Sequence, residues 1–243
     1  MKDMKLLDEV IAAHGGLDRW KEIDAIRIHQ AIGGALWKIK GVDGILDESI
    51  VEVRPGEQRA SHRPLPRPGF RSSYNPTQVQ IETDEDSPRT VETLTSPRES
   101  FAGHTLETPW THLQLAYFAG YAMWTYLSEP YSLTFPGVET EELGAWREDG
   151  ETWRRLGVHY PDSIATHSAG QTLYVDSDGL IRRRDYDVDI AAKSPAAHYS
   201  RNHMTVDGIV LPMNRIVYVR DDAGRPLRDM VTVTIDIDDV TVT

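Results

Sequence analysis

From Thr108 to Ser128 the sequence runs for 21 residues without a charged side chain, although 26% of the whole chain is charged. The stretch reads Thr-Pro-Trp-Thr-His-Leu-Gln-Leu-Ala-Tyr-Phe-Ala-Gly-Tyr-Ala-Met-Trp-Thr-Tyr-Leu-Ser. Pro109 suits the first turn of a helix with Thr108 as its N-cap, and Pro130 stops it, so a helix is expected over about 109–128. Trp110, Leu113, Tyr117, Tyr121 and Trp124 stand 3, 4, 4 and 3 residues apart and share one face. Leu115, Phe118, Ala122 and Tyr126 make a second apolar face. A helix that is apolar nearly all round is either buried or membrane-spanning. About twenty residues are enough to span a bilayer. Only three of these are Leu, however, none is Ile or Val, and His112, Gln114, Thr111 and Thr125 are polar. The flanks also lack a Lys/Arg bias. The expectation is a helix buried against a concave sheet, with no integral membrane segment.

The sheet itself is written in the rest of the chain. Ile26, Ile28, Gln30 and Ile32 alternate with Arg27, His29 and Ala31, a period of two. Leu36 to Lys40 and Ile45 to Arg54 continue as short strand-like runs, split by Gly41, Asp43-Gly44 and Pro55-Gly56. Residues 63–69 hold three prolines and read as a long or mobile loop. After Pro136 strands return, separated by Asp178-Gly179, Asp207-Gly208 and Asp222 to Arg225. In the last run, Val231, Val233, Ile235 and Ile237 alternate with Thr232, Thr234, Asp236 and Asp238, which is how an antiparallel sheet with one wet face reads. Ahead of all this, Leu6, Leu7, Val10, Ile11 and Ala13 have helical spacing, so a helical start is expected over about 3–23. Gly15-Gly16 reads as a helix stop rather than a phosphate loop, because no strand precedes it and no Gly-Lys-Ser/Thr follows. The fold class expected is mainly β with helices (α+β), in one domain covering 1–243, with strands at roughly ten-residue spacing forming a barrel or a strongly curved sheet.

Composition excludes several functions. The 26 basic and 38 acidic side chains leave a net charge of −12. Nucleic acid and anionic membrane surfaces are bound mainly through Lys and Arg and are not expected partners. The absence of cysteine removes disulfides, thiolate zinc sites and cysteine nucleophiles. At the N-terminus, Asp3, Asp8 and Glu9 interrupt any apolar run of a secretory signal, so the expected address is the cytoplasm.

Four segments carry a resemblance. Ala13-His14-Gly15-Gly16-Leu17-Asp18-Arg19-Trp20, Phe101-Ala102-Gly103-His104, Thr108-Pro109-Trp110 and Asp207-Gly208-Ile209-Val210-Leu211-Pro212 are similar to segments of a set of uncharacterised bacterial proteins. Together with the order of elements, they resemble the LolA-like lipoprotein-carrier architecture. That resemblance implies an unclosed barrel whose concave, apolar side is covered by helices and accommodates acyl chains. Exported carriers of that fold open with a signal sequence, which the Met1 to Glu9 segment does not resemble.

Candidate chemistry rests mainly on histidines and arginines. His159 and His167 would face each other if residues between them formed a symmetric hairpin about Ser163, and Asp162 would then complete a possible divalent-ion site; a surface pair on a loop is the plainer reading, so no metal or other cofactor is expected. His104, His167, His198 and His203 are candidate acids or bases, although a merely hydrogen-bonded strand histidine is the plainer reading of His198 and His203. Tyr186 marks the apolar face of the run 180–190 and shares parity with Arg184, while Arg183 falls on the opposite face with Asp185, Asp187 and Asp189. Arg215 shares parity with Leu211, Met213 and Val217. Arg184 and Arg215 are thus candidate inward arginines, paired either with an internal carboxylate or with the carboxylate or phosphate of a bound apolar molecule. No Gly-x-Ser-x-Gly element supports a serine hydrolase.

The leading expectation is a soluble binding protein for an apolar small molecule or acyl chain. Its pocket would lie between sheet and central helix, with Trp110, Tyr117, Tyr121 and Trp124 on one wall and Arg184, Tyr186 and Arg215 opposite. The alternatives are an enzyme using histidine acid/base chemistry in the same pocket, and an interaction protein whose aromatics simply fill the core.

Overall fold

The computed structural model describes residues 5–243, so positions 3 and 4 of the expected helical start lie outside the described residues. Two short helices, α1 (Leu6–Ala13) and α2 (Leu17–Lys21), open the chain. The Gly16 N–H donates to the Ile11 carbonyl at 2.9 Å, ending α1 where the glycine pair is. Strand β1 (Ile26–Gly33) leads to helix α3 (Ala35–Ile39). Strands β2 (Glu48–Arg54), β3 (Arg59–Arg63), β4 (Phe70–Asn75), β5 (Gln78–Thr83) and β6 (Thr90–Thr95) follow. Helix α4 (His112–Ser128) interrupts the strands. The chain then returns through β7 (Glu139–Glu148), β8 (Glu151–His159), β9 (Gly170–Val175), β10 (Ile181–Val188), β11 (Ser194–Val206), β12 (Ile209–Arg220) and β13 (Pro226–Val242).

The thirteen strands of the described residues form one sheet in the order β6-β5-β4-β3-β2-β1-β13-β12-β11-β10-β9-β8-β7. Successive strands neighbour each other throughout except at one place, between β6 and β7. The last strand instead pairs antiparallel with the first, Ile26 opposite Val242 and Ile32 opposite Ile235. The two free edges are therefore the strands that flank α4 in sequence. The connection carrying α4 stands where a hairpin would have closed the barrel, and the helix fills the concave side instead. This is an unclosed, mainly antiparallel β architecture with a few helices.

Burial explains why α4 has no charges. From Gln114 to Ser128 every residue is buried. At Gly120 the helix lies directly against β4: a Cβ there would stand 2.4 Å from the Tyr74 ring, so only glycine fits. The helix starts three residues later than Thr108 implies. Thr111 is the N-cap, its hydroxyl accepting from the Gln114 N–H at 3.2 Å while Gln114 Oε1 accepts from the Thr111 N–H at 3.0 Å. This reciprocal box satisfies two helix-end donors at once, which Thr108 cannot do because the residue three beyond it is Thr111 rather than a glutamine or glutamate.

Two local readings are corrected. Leu36 to Lys40 is helical, not extended. Gly34, at φ 111°, turns the chain out of β1, and the Trp37 indole donates to the Gly33 carbonyl at 2.9 Å. The proline-rich turn between β3 and β4 is anchored rather than loose: Leu65 is fully buried and its N–H donates to the Phe70 carbonyl at 3.0 Å. Among the described residues no helix is long and apolar enough to cross a membrane.

The outer face of the sheet has a core of its own. Arg183, expected on a wet face, has no exposed side-chain surface. It lies against the rings of Trp146, Tyr174 and Tyr199 at 5.4, 4.6 and 5.4 Å. Its guanidinium pairs with Asp185 at 2.7 Å and with Glu148 at 2.5 Å, and donates to the Gly224 carbonyl. The β7–β8 and β12–β13 hairpins fold over this arginine, so alternation along β10 separates two buried faces instead of one dry and one wet.

Candidate functional site

Helix α4 fills the concave side unevenly. Its aromatic face packs over β2–β5: Tyr117 meets Tyr74 with ring centroids 5.9 Å apart, and the Trp124 indole donates to the Arg54 carbonyl at 3.0 Å. Trp110 closes the helix start against Phe118 at 4.8 Å and Phe101 at 5.9 Å. The opposite face presents Phe118, Ala119, Ala122, Met123 and Tyr126, and the two alanines are too short to reach β10–β13. A cavity of about 330 Å³ remains there, with Tyr186, Ala196, Val217 and Ile235 on its far wall. Leu36 and Ile39 of α3 stand at the rim with Met230. Ile39 and Met230 are 40% and 54% exposed, which marks that rim as the mouth.

The buried end of the cavity is polar. His167, from the β8–β9 loop, lies flat on the Tyr186 ring, centroids 4.1 Å apart and planes 5° from parallel. Its Nε2 is 2.6 Å from the Tyr126 hydroxyl and its Nδ1 is 3.2 Å from the Tyr121 hydroxyl. The Tyr126 and Tyr186 hydroxyls are 3.1 Å apart, and Tyr186 continues to His198 Nδ1 at 3.4 Å. Arg215 ends the chain, meeting His198 Nε2 at 3.3 Å, Ser200 Oγ at 3.2 Å and the Tyr126 carbonyl at 2.8 Å. Tyr126, His167 and Tyr186 line the cavity; His198 and Arg215 lie behind them.

Electrostatics keeps this end neutral at its surface. Burial pushes the His167 and His198 imidazoles well below their usual range; the Arg184 and Arg98 charges push His167 the same way, and Arg215 and Arg184 push His198. Burial raises the Tyr121, Tyr126 and Tyr186 phenols. Burial brings Arg215 down to about 10, so it stays protonated at neutral pH. Arg184 is fixed by an ion pair with Glu129, the residue that ends α4, and by Gln171 Oε1 at 3.0 Å. No carboxylate forms an ion pair with Arg215 among the described residues; its charge is met by the Tyr126 ring at 4.9 Å and by neutral acceptors.

The residues singled out from sequence therefore divide. Tyr186 and His167 line the cavity, and His198 supports them. Trp110, Tyr117, Tyr121 and Trp124 lie on the filled side of α4 or at its packed end, and the wall is made by the second face instead. Arg184 and Arg215 point inward but stay behind the wall. His104 packs beside Phe101 at 5.4 Å, away from the cavity. His203 meets Arg182 at 3.2 Å and the Ile181 carbonyl at 3.1 Å, outside it as well. The symmetric hairpin about Ser163 does not form: His159 pairs with Gly170, the Tyr160 N–H closes the loop on the Ala169 carbonyl, and His167 turns inward alone. Among the described residues, no three His, Cys, Asp or Glu side chains cluster to hold a metal ion. Sequence reasoning missed Ala119, Met123 and the α3 rim; the signal for the void is the small Ala119 and Ala122 among large aromatic neighbours.

No protein-family model and no curated protein matches the sequence. Solved structures do match in fold. A LolA superfamily protein from Nitrosomonas europaea is 13% identical with a TM-score of 0.51, over 93% of this chain and 91% of its own. A putative outer membrane lipoprotein-sorting protein domain from Vibrio parahaemolyticus is 8% identical with a TM-score of 0.51, over 98% of this chain and 91% of its own. The fold is the LolA-like half-barrel.

Proposed function

We propose that this protein binds an apolar small molecule or single acyl chain in the cavity between α4 and strands β10–β13. The observation that carries the reading is the cavity itself: about 330 Å³, walled by aliphatic and aromatic side chains, open at an apolar rim, with hydrogen-bonding groups gathered at one buried end. Such a composition is the usual form of a small-molecule site. A dry cavity of about 150 Å³ accommodates benzene, so by proportion this one takes about 13 non-hydrogen atoms, one chain rather than several. The likeness to a LolA superfamily protein and a putative lipoprotein-sorting domain supports a half-barrel scaffold able to hold apolar cargo. A cavity of this size also speaks against a completely filled core.

The test is native mass spectrometry of the purified protein before and after organic extraction, beside an Ala122→Phe variant. Ala122 lies on the cavity wall, and a phenyl ring there occupies the void. The expected result is a one-to-one apolar adduct, or uptake of added 1-decanol, on the parent protein and none on the variant. Failure of the folded parent to take up any apolar molecule of this size contradicts the reading.

A second reading has one observation in its favour. Tyr126 and His167, hydrogen-bonded at 2.6 Å at the cavity end, are a phenol–imidazole pair of the kind that moves protons. It makes the protein an enzyme on an apolar substrate, and it requires turnover that Tyr126→Phe abolishes while binding persists.

A further inference from the structure

The hydrogens along the buried chain can be assigned. Arginine has five donors and no acceptor, so the Arg215 contact makes His198 Nε2 an acceptor and leaves the proton on Nδ1. That proton faces the Tyr186 hydroxyl, which accepts it. At His167 the two contacts differ in length. The 2.6 Å contact to Tyr126 is shorter than N–H donors make and suits a hydroxyl donor, whereas the 3.2 Å contact to Tyr121 suits a ring N–H. Tyr126 therefore donates to His167 Nε2, and His167 Nδ1–H donates to Tyr121. The Tyr186 hydrogen then goes to the Tyr126 oxygen, 3.1 Å away.

The donors of His167, His198, Tyr126 and Tyr186 are all spent in this arrangement, and the unpartnered Nε atoms of Arg184 and Arg215 belong to residues that do not line the cavity. What remains free on these two lining tyrosines is lone pairs, on the Tyr126 and Tyr186 oxygens. The rim adds to the same bias. Among the described residues lining the cavity, Asp229 is the one carboxylate, and no lysine or arginine lines it. The Thr232 hydroxyl is spent on the Val217 carbonyl at 3.1 Å; Ser194 is a lining hydroxyl that can act either way. Arg184 and Arg215, which would welcome a carboxylate, are engaged behind the wall.

We infer that the cavity selects an apolar molecule carrying a hydroxyl or amine donor, and discriminates against carbonyl compounds and carboxylates. This rests on the cavity being a ligand site. A hydroxyl donates to the Tyr126–Tyr186 oxygens without disturbing the chain. At the Tyr126–Tyr186 end a ketone finds only acceptors unless the Tyr186–Tyr126 bond breaks. A carboxylate brings a charge either to that end or to Asp229.

The experiment measures affinities of 1-decanol, 2-decanone and decanoate for the intact protein by calorimetry at neutral pH. Chain size is held nearly constant, so differences report the head group. The expected result is at least about tenfold tighter binding of 1-decanol than of either competitor, the effect of one well-made buried hydrogen bond. In Tyr126→Phe the Tyr186 hydrogen and His167 Nε2 are both released, and the preference for 1-decanol over 2-decanone falls below about threefold. Equal or tighter binding of 2-decanone or decanoate by the parent protein overturns the inference while leaving an apolar site standing. An unchanged preference in a folded Tyr126→Phe protein overturns it too, because the head group then lies elsewhere. If none of the three binds, the cavity reading itself fails and the inference with it.

Discussion

Replacing Arg184 by methionine tests whether the ion pair behind the cavity anchors α4. The Arg184 and Glu129 side chains retain 2% and 5% of their exposure, and Glu129 is the first residue after the last helical turn. Arg184→Met strands a carboxylate in a site built for a guanidinium and also removes the 3.0 Å bond to Gln171. An exposed ion pair is worth at most about 1 kcal/mol. Breaking a buried one costs about 3–5 kcal/mol, because the remaining charge has no compensation. For a chain of this size that lowers Tm by about 6–20 °C. Urea unfolding followed through the six tryptophans gives the number directly. The double variant Arg184→Met/Glu129→Met removes both charges and regains at least about 2 kcal/mol relative to the single one. A single variant costing under about 1 kcal/mol, or a double variant no more stable than the single, refutes the reasoning.

Three further outcomes follow from the same geometry. Arg183→Leu, on the outer face, leaves Asp185 and Glu148 without their shared partner and costs about 3–5 kcal/mol in urea unfolding, yet leaves 1-decanol affinity unchanged, because α4 and the cavity are on the other side of the sheet. Ala122→Phe loses 1-decanol binding while costing at most about 1–3 kcal/mol of overpacking, read by calorimetry and thermal unfolding together. His62 is wholly buried with neither ring nitrogen bonded, and burial lowers it to about 4 from 6.5. The unfolded chain takes that proton first as pH falls, so stability is complete above about pH 6.5 and declines toward pH 4, by about 1.4 kcal/mol per unit for this residue. A His62→Leu variant should show an acid limb shallower by about that slope, and an identical limb counts against the assignment.

Much of the fold was legible because period-two runs and turn dipeptides are local. Val233, Ile235 and Ile237 gave the inner face of β13 directly, while a bulge turns Val231 to pack on the outer cluster beside Tyr218, and the uncharged run from Thr108 gave a buried helix. The short α3 was not legible, since the six residues between Gly34 and Gly41 carry no periodicity long enough to separate helix from strand. Arg183 was misread because alternation assigns parity, not solvent: hairpins distant in sequence cover it. The cavity wall was misplaced for a related reason. Trp110, Tyr117, Tyr121 and Trp124 are the conspicuous side chains of α4, but large rings fill space, and it is Ala119 and Ala122 that leave it. His167 could be flagged by residue type, whereas its place under Tyr126 depends on a loop closed by Tyr160 and Ala169.

The most direct test of the central claim uses the methionines as reporters. Met123 lies on the cavity wall and Met230 at its rim, while Met204 and Met213 lie outside it. In protein labelled with 13C at the methionine methyl groups, titration with 1-decanol should shift Met123 and Met230 to saturation at one equivalent, with ligand-to-methyl NOEs to Met123 and none to Met204. Saturable binding that leaves Met123 unmoved, or NOEs confined to Met204 and Met213, would place the ligand elsewhere and contradict the account.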